Sequence, residues 1–145
     1  MEITVTFGER LKELIEDKYG STRAFTAAAG FAKSSVNAWI SGQRAVRRAQ
    51  LIRLADTFGC SIEYLTGRSD TFLDYAPKPC PPFYGRLKEL LEENGLSFCR
   101  LMRETGMYDS YLTNWKRGAD PDIRTLAKLA DGIGCTVDCL VGRDR

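Results

Sequence analysis

Three arginines, Arg44, Arg47 and Arg48, form the most distinctive chemical group in the sequence. The apolar spacing after them predicts that a helix begins at Arg47 or Arg48, where the helix dipole is positive and a cation is slightly unfavourable. A bound anion would offset that cost, because backbone amides and arginines at a helix start make a good phosphate site. The group therefore predicts phosphate binding, and the alternative is a run of solvated arginines.

Residue types needed for other chemistry are scarce. The 145 residues include no histidine, which removes the commonest general base and metal ligand. The five cysteines are odd in number and contain no C-x-x-C pair, so they predict neither a disulfide framework nor a zinc site. We expect them to be small buried residues in a reduced compartment. The sequence thus favours a protein that is not an enzyme and that uses no metal or cofactor.

The composition is that of an ordinary globular protein, with 43% hydrophobic and 28% charged residues. No apolar run approaches the roughly 18 residues of a membrane span, and residues 1–7 lack the features of a signal peptide. We therefore expect a cytoplasmic protein with no membrane partner. This length allows one domain or two small ones.

The chain contains an internal repeat. Residues 7–42 align with residues 83–118 at a constant offset of 76, and residues 51–68 align with residues 126–143 at an offset of 75, with 21 identities in all. Between the copies, residues 69–82 have three prolines among their last four positions, which predicts a linker or an extended strap. The predicted domains are therefore 1–68 and 83–145.

The apolar residues within each copy recur with helical spacing and predict five short helices. Thr6 and Glu9 have the spacing of a capping box, which predicts that the first helix begins at Phe7. Residues 3–5 alternate in polarity but are too few to indicate a strand. The second helix of the first copy is expected from Ser21 to Gly30, with Ala24, Phe25 and Ala28 inward, and the third from Lys33 to Ser41, with Val36 and Trp39 inward. A fourth helix is expected to place Leu51, Leu54, Ala55 and Phe58 inward, and a fifth is expected at Ile62 to Leu65.

Residues 21–42 and 97–118 resemble the helix-turn-helix of the lambda repressor and Cro family, also called XRE-type regulators. The endings YLTGR at 64–68 and CLVGR at 139–143 extend the resemblance over nearly all of both copies. It implies an all-α fold of two tandem five-helix lambda-repressor-like helix-turn-helix domains joined by a proline-containing linker. It also implies a sequence-specific regulator of transcription that binds double-stranded DNA, with repression as the expected mode, in a bacterium or a phage.

The third helix of such a domain places its first turn in a major groove about 12 Å wide. Polar residues that face away from Val36 and Trp39 would then meet base edges. The resemblance implies base contacts for Lys33 and Ser34, and phosphate or base contacts for the residues that start the second helix. The predicted DNA-binding residues of the first copy are Thr22, Arg23, Lys33, Ser34, Asn37, Arg44, Arg47 and Arg48.

The second copy has lost much of this pattern. Residues 1–68 have 10 basic and 7 acidic side chains, whereas residues 83–145 have 10 of each. Asp109 replaces a lysine, Phe98 replaces a threonine, and Asp120-Pro121-Asp122 replaces the arginines, with Asp120 predicted to cap the following helix and Pro121 to begin it. The remaining candidate DNA contacts are Ser110, Tyr111, Asn114, Lys116 and Arg117.

We therefore expect the first copy to supply most of the DNA affinity, and the second to supply self-association or a weaker DNA contact. A linker of 14 residues can extend to about 45 Å, more than the roughly 34 Å between successive major grooves. A homodimer and an intramolecular pseudo-dimer are both open, as is a linker in which Phe72, Leu73 and Tyr75 fold back on a domain. No small-molecule effector is predicted. The alternative function is a protein-interaction module such as an antitoxin or adaptor, which the acidic residues of the second copy keep open.

Overall fold

The computed structural model of the chain describes residues 2–143 and, within them, contains ten helices and no strand. It divides into two compact units, one of residues up to Val46 with Gln50–Pro77, and the other of Arg47–Ala49 with the residues from Lys78 onward. None of the described helices is both long and apolar enough to cross a membrane. The fold is all-α, as the sequence predicted.

Five helices form each copy of the repeat, which confirms the expected number. We call these two groups the first and second domains. Those of the first domain are α1 (Ile3–Tyr19), α2 (Thr22–Ala29), α3 (Lys33–Ser41), α4 (Arg48–Phe58) and α5 (Ile62–Leu65). Those of the second domain are α6 (Phe83–Glu93), α7 (Phe98–Thr105), α8 (Asp109–Lys116), α9 (Ile123–Ile133) and α10 (Val137–Val141).

The first helix begins one turn earlier than predicted. α1 starts at Ile3, and Thr6 lies inside it rather than at its N-cap. The Thr6 hydroxyl lies 3.1 Å from the Ile3 carbonyl oxygen and 2.8 Å from that of Thr66, to which it donates. The capping-box prediction was wrong because the Thr6 hydroxyl donates to the carbonyl oxygens of Ile3 and Thr66 and caps no amide at the start of α1.

The second helix of each domain has the predicted ends. The Ser21 hydroxyl accepts from the Ala24 amide at 3.1 Å, and Ser97 does the same for Arg100 at 3.1 Å. Gly30 and its counterpart in the second domain end these helices with φ of 76° and 72°, the left-handed region that favours glycine. The predicted inward face of α2 was partly wrong, since Phe25 is its one buried residue and both predicted alanines are exposed.

The core of the first domain is aromatic around Phe25. Its ring stacks on those of Phe31 and Phe58, each at a centroid distance of 5.3 Å, and meets the edge of Tyr19 at 5.0 Å. Phe25 is fully buried, and burial of a phenylalanine side chain contributes about 1.5–3 kcal/mol. This cluster joins α1, α2 and α4 and supports the turn that precedes α3.

In each domain an arginine of the first helix bonds to the last helix; Arg10 is half-buried and Arg86 is buried. Arg10 donates to the Tyr64 carbonyl oxygen at 2.8 Å, and Arg86 donates to the Cys139 carbonyl oxygen at 2.9 and 3.1 Å. The residue Arg86 is only 3% exposed. Because the last carbonyls of a helix have no partner within it, these arginines satisfy the ends of α5 and α10. No local pattern in the sequence indicates this role for either arginine.

The first part of the segment between the repeats packs on the first domain. The Phe72 ring meets the edge of Tyr64 at 5.1 Å, and the Tyr75 amide donates to the Gly59 carbonyl oxygen at 3.0 Å. Asp70 also pairs with Arg10, whose guanidinium nitrogen is 3.3 Å from its carboxylate. Phe72 and Tyr75 therefore fold back on the first domain, as expected in one of the two alternatives for this segment, whereas Leu73 is 48% exposed.

The ninth helix begins later than predicted. Asp122 is the N-cap of α9, and its carboxylate accepts from the amides of Arg124 at 2.9 Å and Thr125 at 3.2 Å. The prediction that Asp120 caps this helix and that Pro121 begins it was wrong. Pro121 is buried just before the helix. The residue that caps α9 directly precedes the apolar Ile123, whereas Asp120 lies two residues further out.

Candidate nucleic-acid interface

Helix α3 carries the predicted base contacts on its outer side. It begins three residues after Gly30, and Val36 and Trp39 fix its orientation because both are buried. Lys33, Ser34 and Asn37 are exposed. The structure therefore brings these three polar side chains together on one accessible face, at the start and middle of the helix.

The arginine group lies in the loop after α3 and at the start of α4. Val46 is fully buried and anchors this loop, while Arg44 and Arg47 on either side of it are exposed. A guanidinium nitrogen of Arg44 lies 3.4 Å from the Ser35 hydroxyl, which places this cation beside α3. Arg48 is the first residue of α4 and is half-buried.

The starts of α2 and α3 differ in how their amides are satisfied. Ser21 caps α2, whereas Ala32 precedes α3 and offers no side-chain acceptor. No side chain at the N-cap of α3 therefore accepts from its first-turn amides, and Lys33 is the first residue of this helix. Of the two remaining candidates at the start of α2, Arg23 is exposed and Thr22 is half-buried.

In the second domain, α8 occupies the place of α3 and has a different surface. Asp109 is its first residue, and Tyr108, which precedes it, is 76% exposed. Tyr111 is 40% exposed and its ring lies 5.8 Å from that of Trp115. All five candidates are exposed and span the helix and its end: Ser110, Tyr111, Asn114, Lys116 and Arg117.

Two helix starts of the second domain differ from the positions predicted to bind phosphate in the first domain. Asp122 caps α9 and pairs with Arg124 at 3.1 Å, so this helix start already has a negative group. The start of α4 also has a negative group, because within the second compact unit the Ala49 amide donates to the Asp120 carboxylate at 2.7 Å and Arg48 pairs with it at 3.1 Å. At the start of α7, Phe98 stacks on Tyr84 at 5.6 Å with the rings nearly parallel, where the first domain has a small hydroxyl residue.

The sequence did not identify Arg53, a residue that contacts the helix-turn-helix. Arg53, in the second turn of α4, lies against the turn between α2 and α3. Its spacing in the sequence is that of an ordinary polar position on an amphipathic helix. No local signal identifies it, because its partners lie 23 and 24 residues away.

Comparison with known proteins agrees with the geometry of both domains. Residues 86–143 match the family described as Cro/C1-type HTH DNA-binding domain, and residues 11–65 match the family described as Helix-turn-helix. No curated protein and no solved structure is similar enough to count as a match. With two Cro/C1-type helix-turn-helix domains in tandem, the chain is a DNA-binding regulator of the XRE-like helix-turn-helix family.

Proposed function

We propose that the chain is a sequence-specific regulator of transcription, acting as a repressor, in which the first domain supplies most of the affinity and specificity for double-stranded DNA. The observation that carries this proposal is the surface formed by α3 and the loop after it. Exposed Lys33, Ser34 and Asn37 lie on α3, and exposed Arg44 in the loop after α3 lies beside Ser35 of the same helix. Such a surface combines groups for base edges with groups for the phosphate backbone.

The charge distribution of the first domain supports the same assignment. Four of its seven acidic residues lie on α1, at positions 9, 13, 16 and 17. The loop from residue 42 to residue 47 and the exposed face of α3 contain no acidic residue. A polyanion is therefore attracted to α3 and the arginines rather than to α1.

Arg47→Ala is expected to weaken binding of the full chain roughly tenfold on every duplex and to reduce the slope of log affinity against log salt by about 1. The reason is that a phosphate contact carries no sequence information. Fluorescence anisotropy with a site selected from a random duplex library, and with a scrambled duplex, measures both quantities between 50 and 200 mM salt, the range over which such contacts weaken by orders of magnitude.

Two further variants separate backbone binding from base recognition in the same assay. Lys12→Ala removes an equal charge from the exposed side of α1 and is expected to change binding much less. Asn37→Ala is expected to cost about 1–3 kcal/mol on the selected site and little on the scrambled duplex. Binding of the wild-type chain that does not weaken as salt rises would contradict the proposal.

We propose that the second domain adds a weaker DNA contact through α8. Its match to a DNA-binding family and the exposed Asn114, Lys116 and Arg117 support this assignment. The alternative is a protein contact of the kind an antitoxin or adaptor makes, and the exposed Tyr108 and Asp109 favour it, because tyrosine is common in protein interfaces. The symmetry of the selected site distinguishes a pseudo-dimer from a homodimer, because a pseudo-dimer selects a single asymmetric site and a homodimer selects an inverted repeat.

Asp109→Lys tests this assignment directly. If α8 faces a duplex, the variant is expected to raise DNA affinity several-fold at low salt, because it replaces a repelled charge by an attracted one. Asp131→Lys makes the same change at an exposed position on α9 and serves as the control. Equal effects of the two variants would favour the protein-contact role for α8.

A further inference from the structure

The turn between α2 and α3 is held by an arginine from α4. One terminal nitrogen of the Arg53 guanidinium donates to the carbonyl oxygens of Ala29 and Gly30, both at 3.0 Å. The central carbon of the same guanidinium lies 3.9 Å from the centroid of the Phe31 ring. Arg53 thus bonds to the end of α2 and also covers the aromatic residue that leads into α3.

Phe31 transmits this contact to both helices of the motif. Its buried ring stacks on Phe25 of α2 at 5.3 Å and meets Trp39 of α3 at 6.2 Å, nearly edge-on. A planar guanidinium can stack on an aromatic face while its N–H groups donate in the plane of the guanidinium. Arg53 therefore fixes the turn through hydrogen bonds and fixes the orientation of α3 through the Phe31 ring.

The second domain does not contain this arrangement. The repeat places Lys128 at the position of Arg53 and Met107 at the position of Phe31. Around them the structure has an open cavity of about 390 Å³, lined in part by Gly106, Met107 and Lys128. A lysine has no planar fork and a methionine has no ring face, so this pair cannot reproduce the clamp.

We propose that Arg53 is a positioning residue for DNA recognition by the first domain, holding α3 at the angle that presents Lys33 and Asn37 to base edges. The inference rests on the proposed function of the first domain. Base contacts require side chains placed to a fraction of an ångström, whereas phosphate contacts tolerate displacement. Loss of the clamp is therefore expected to lower sequence discrimination more than overall affinity for DNA.

Arg53→Lys tests the proposal in the full chain because it keeps the charge but removes the stacking fork. We expect the ratio of affinities for the selected and scrambled duplexes to fall on the order of tenfold, with the salt slope unchanged. We also expect faster hydrogen exchange at residues 31–35 without DNA, while exchange in α1 and α5 stays the same. Arg100→Lys, a charge-preserving change at an exposed ion pair with Glu104, should move neither quantity.

Each other outcome overturns the inference and identifies what failed. An unchanged affinity ratio would show that Arg53 does not position α3. An equal loss on both duplexes would show that Arg53 contacts the phosphate backbone itself. Failure of the wild-type chain to bind either duplex would overturn the proposed function, and the positioning role with it, whatever the exchange rates are.

Discussion

Asp138→Asn is expected to unfold the second domain. The Asp138 carboxylate and a terminal nitrogen of Arg143 lie 2.7 Å apart, and both side chains are 1% exposed. The Arg143 amide also donates to the Asp138 carbonyl oxygen at 2.8 Å. Removing one charge of a buried pair costs about 3–5 kcal/mol, because the other charge stays buried without that compensation. Such a loss approaches the whole stability that a domain of this size can have.

The repeat supplies a matched control for this substitution. Glu63 and Arg68 occupy the equivalent positions of the first domain and lie 2.8 Å apart, but their side chains are 17% and 21% exposed. Water screens this pair more strongly, so Glu63→Gln is expected to cost only about 1 kcal/mol. Hydrogen exchange across a denaturant series, followed in peptides from each domain, measures both effects. Equal losses from the two variants would contradict the argument from burial.

The parts of the fold that the sequence predicted depend on neighbours in the chain. Ser21 caps an amide three residues away, and Gly30 ends α2 by bonding to Thr26 within the same turn. The burial of Val36 and Trp39 follows from helical spacing alone. These signals are local, and the bounds of α3 were accordingly predicted to the residue.

The parts that the sequence missed depend on distant partners. Thr6 bonds to a residue 60 positions away, and Arg86 bonds to one 53 positions away. A threonine followed three residues later by a glutamate is compatible with a capping box and also with a helix interior. Local pattern cannot choose between these states, because the bond to Thr66 exists only after α5 has packed on α1.

The same distinction applies to the candidate interface. The exposure of Lys33 and Asn37 followed from their spacing relative to the buried face of α3. The half-buried state of Thr22 did not, because packing between helices determines it. The clamp by Arg53 had no local signal either. The roles of these residues in DNA binding stay predictions, which the binding experiments above test.

Gly8→Ala is expected to destabilise the first domain by about 1–3 kcal/mol, because it forces two helices apart. Gly8 lies in α1 where that helix crosses the end of α3. An added Cβ would lie 2.6 Å from the Ile40 carbonyl oxygen and 3.0 Å from that of Trp39. Both obstacles are backbone atoms that cannot rotate away. Since α3 carries the predicted base contacts, the variant is also expected to lose affinity for the selected duplex.

Gly85→Ala in the second domain is the control, and the opposite sign is expected. Gly85 lies in α6, and an added Cβ there would meet nothing within 4 Å. Alanine in an open helix interior is more stable than glycine by about 0.5–1 kcal/mol, because the unfolded chain loses less entropy. Urea unfolding of each variant, followed by domain-resolved hydrogen exchange, measures both signs. Stabilisation by Gly8→Ala would show that α1 and α3 separate without cost, and the close approach of their backbones would then not fix the position of α3.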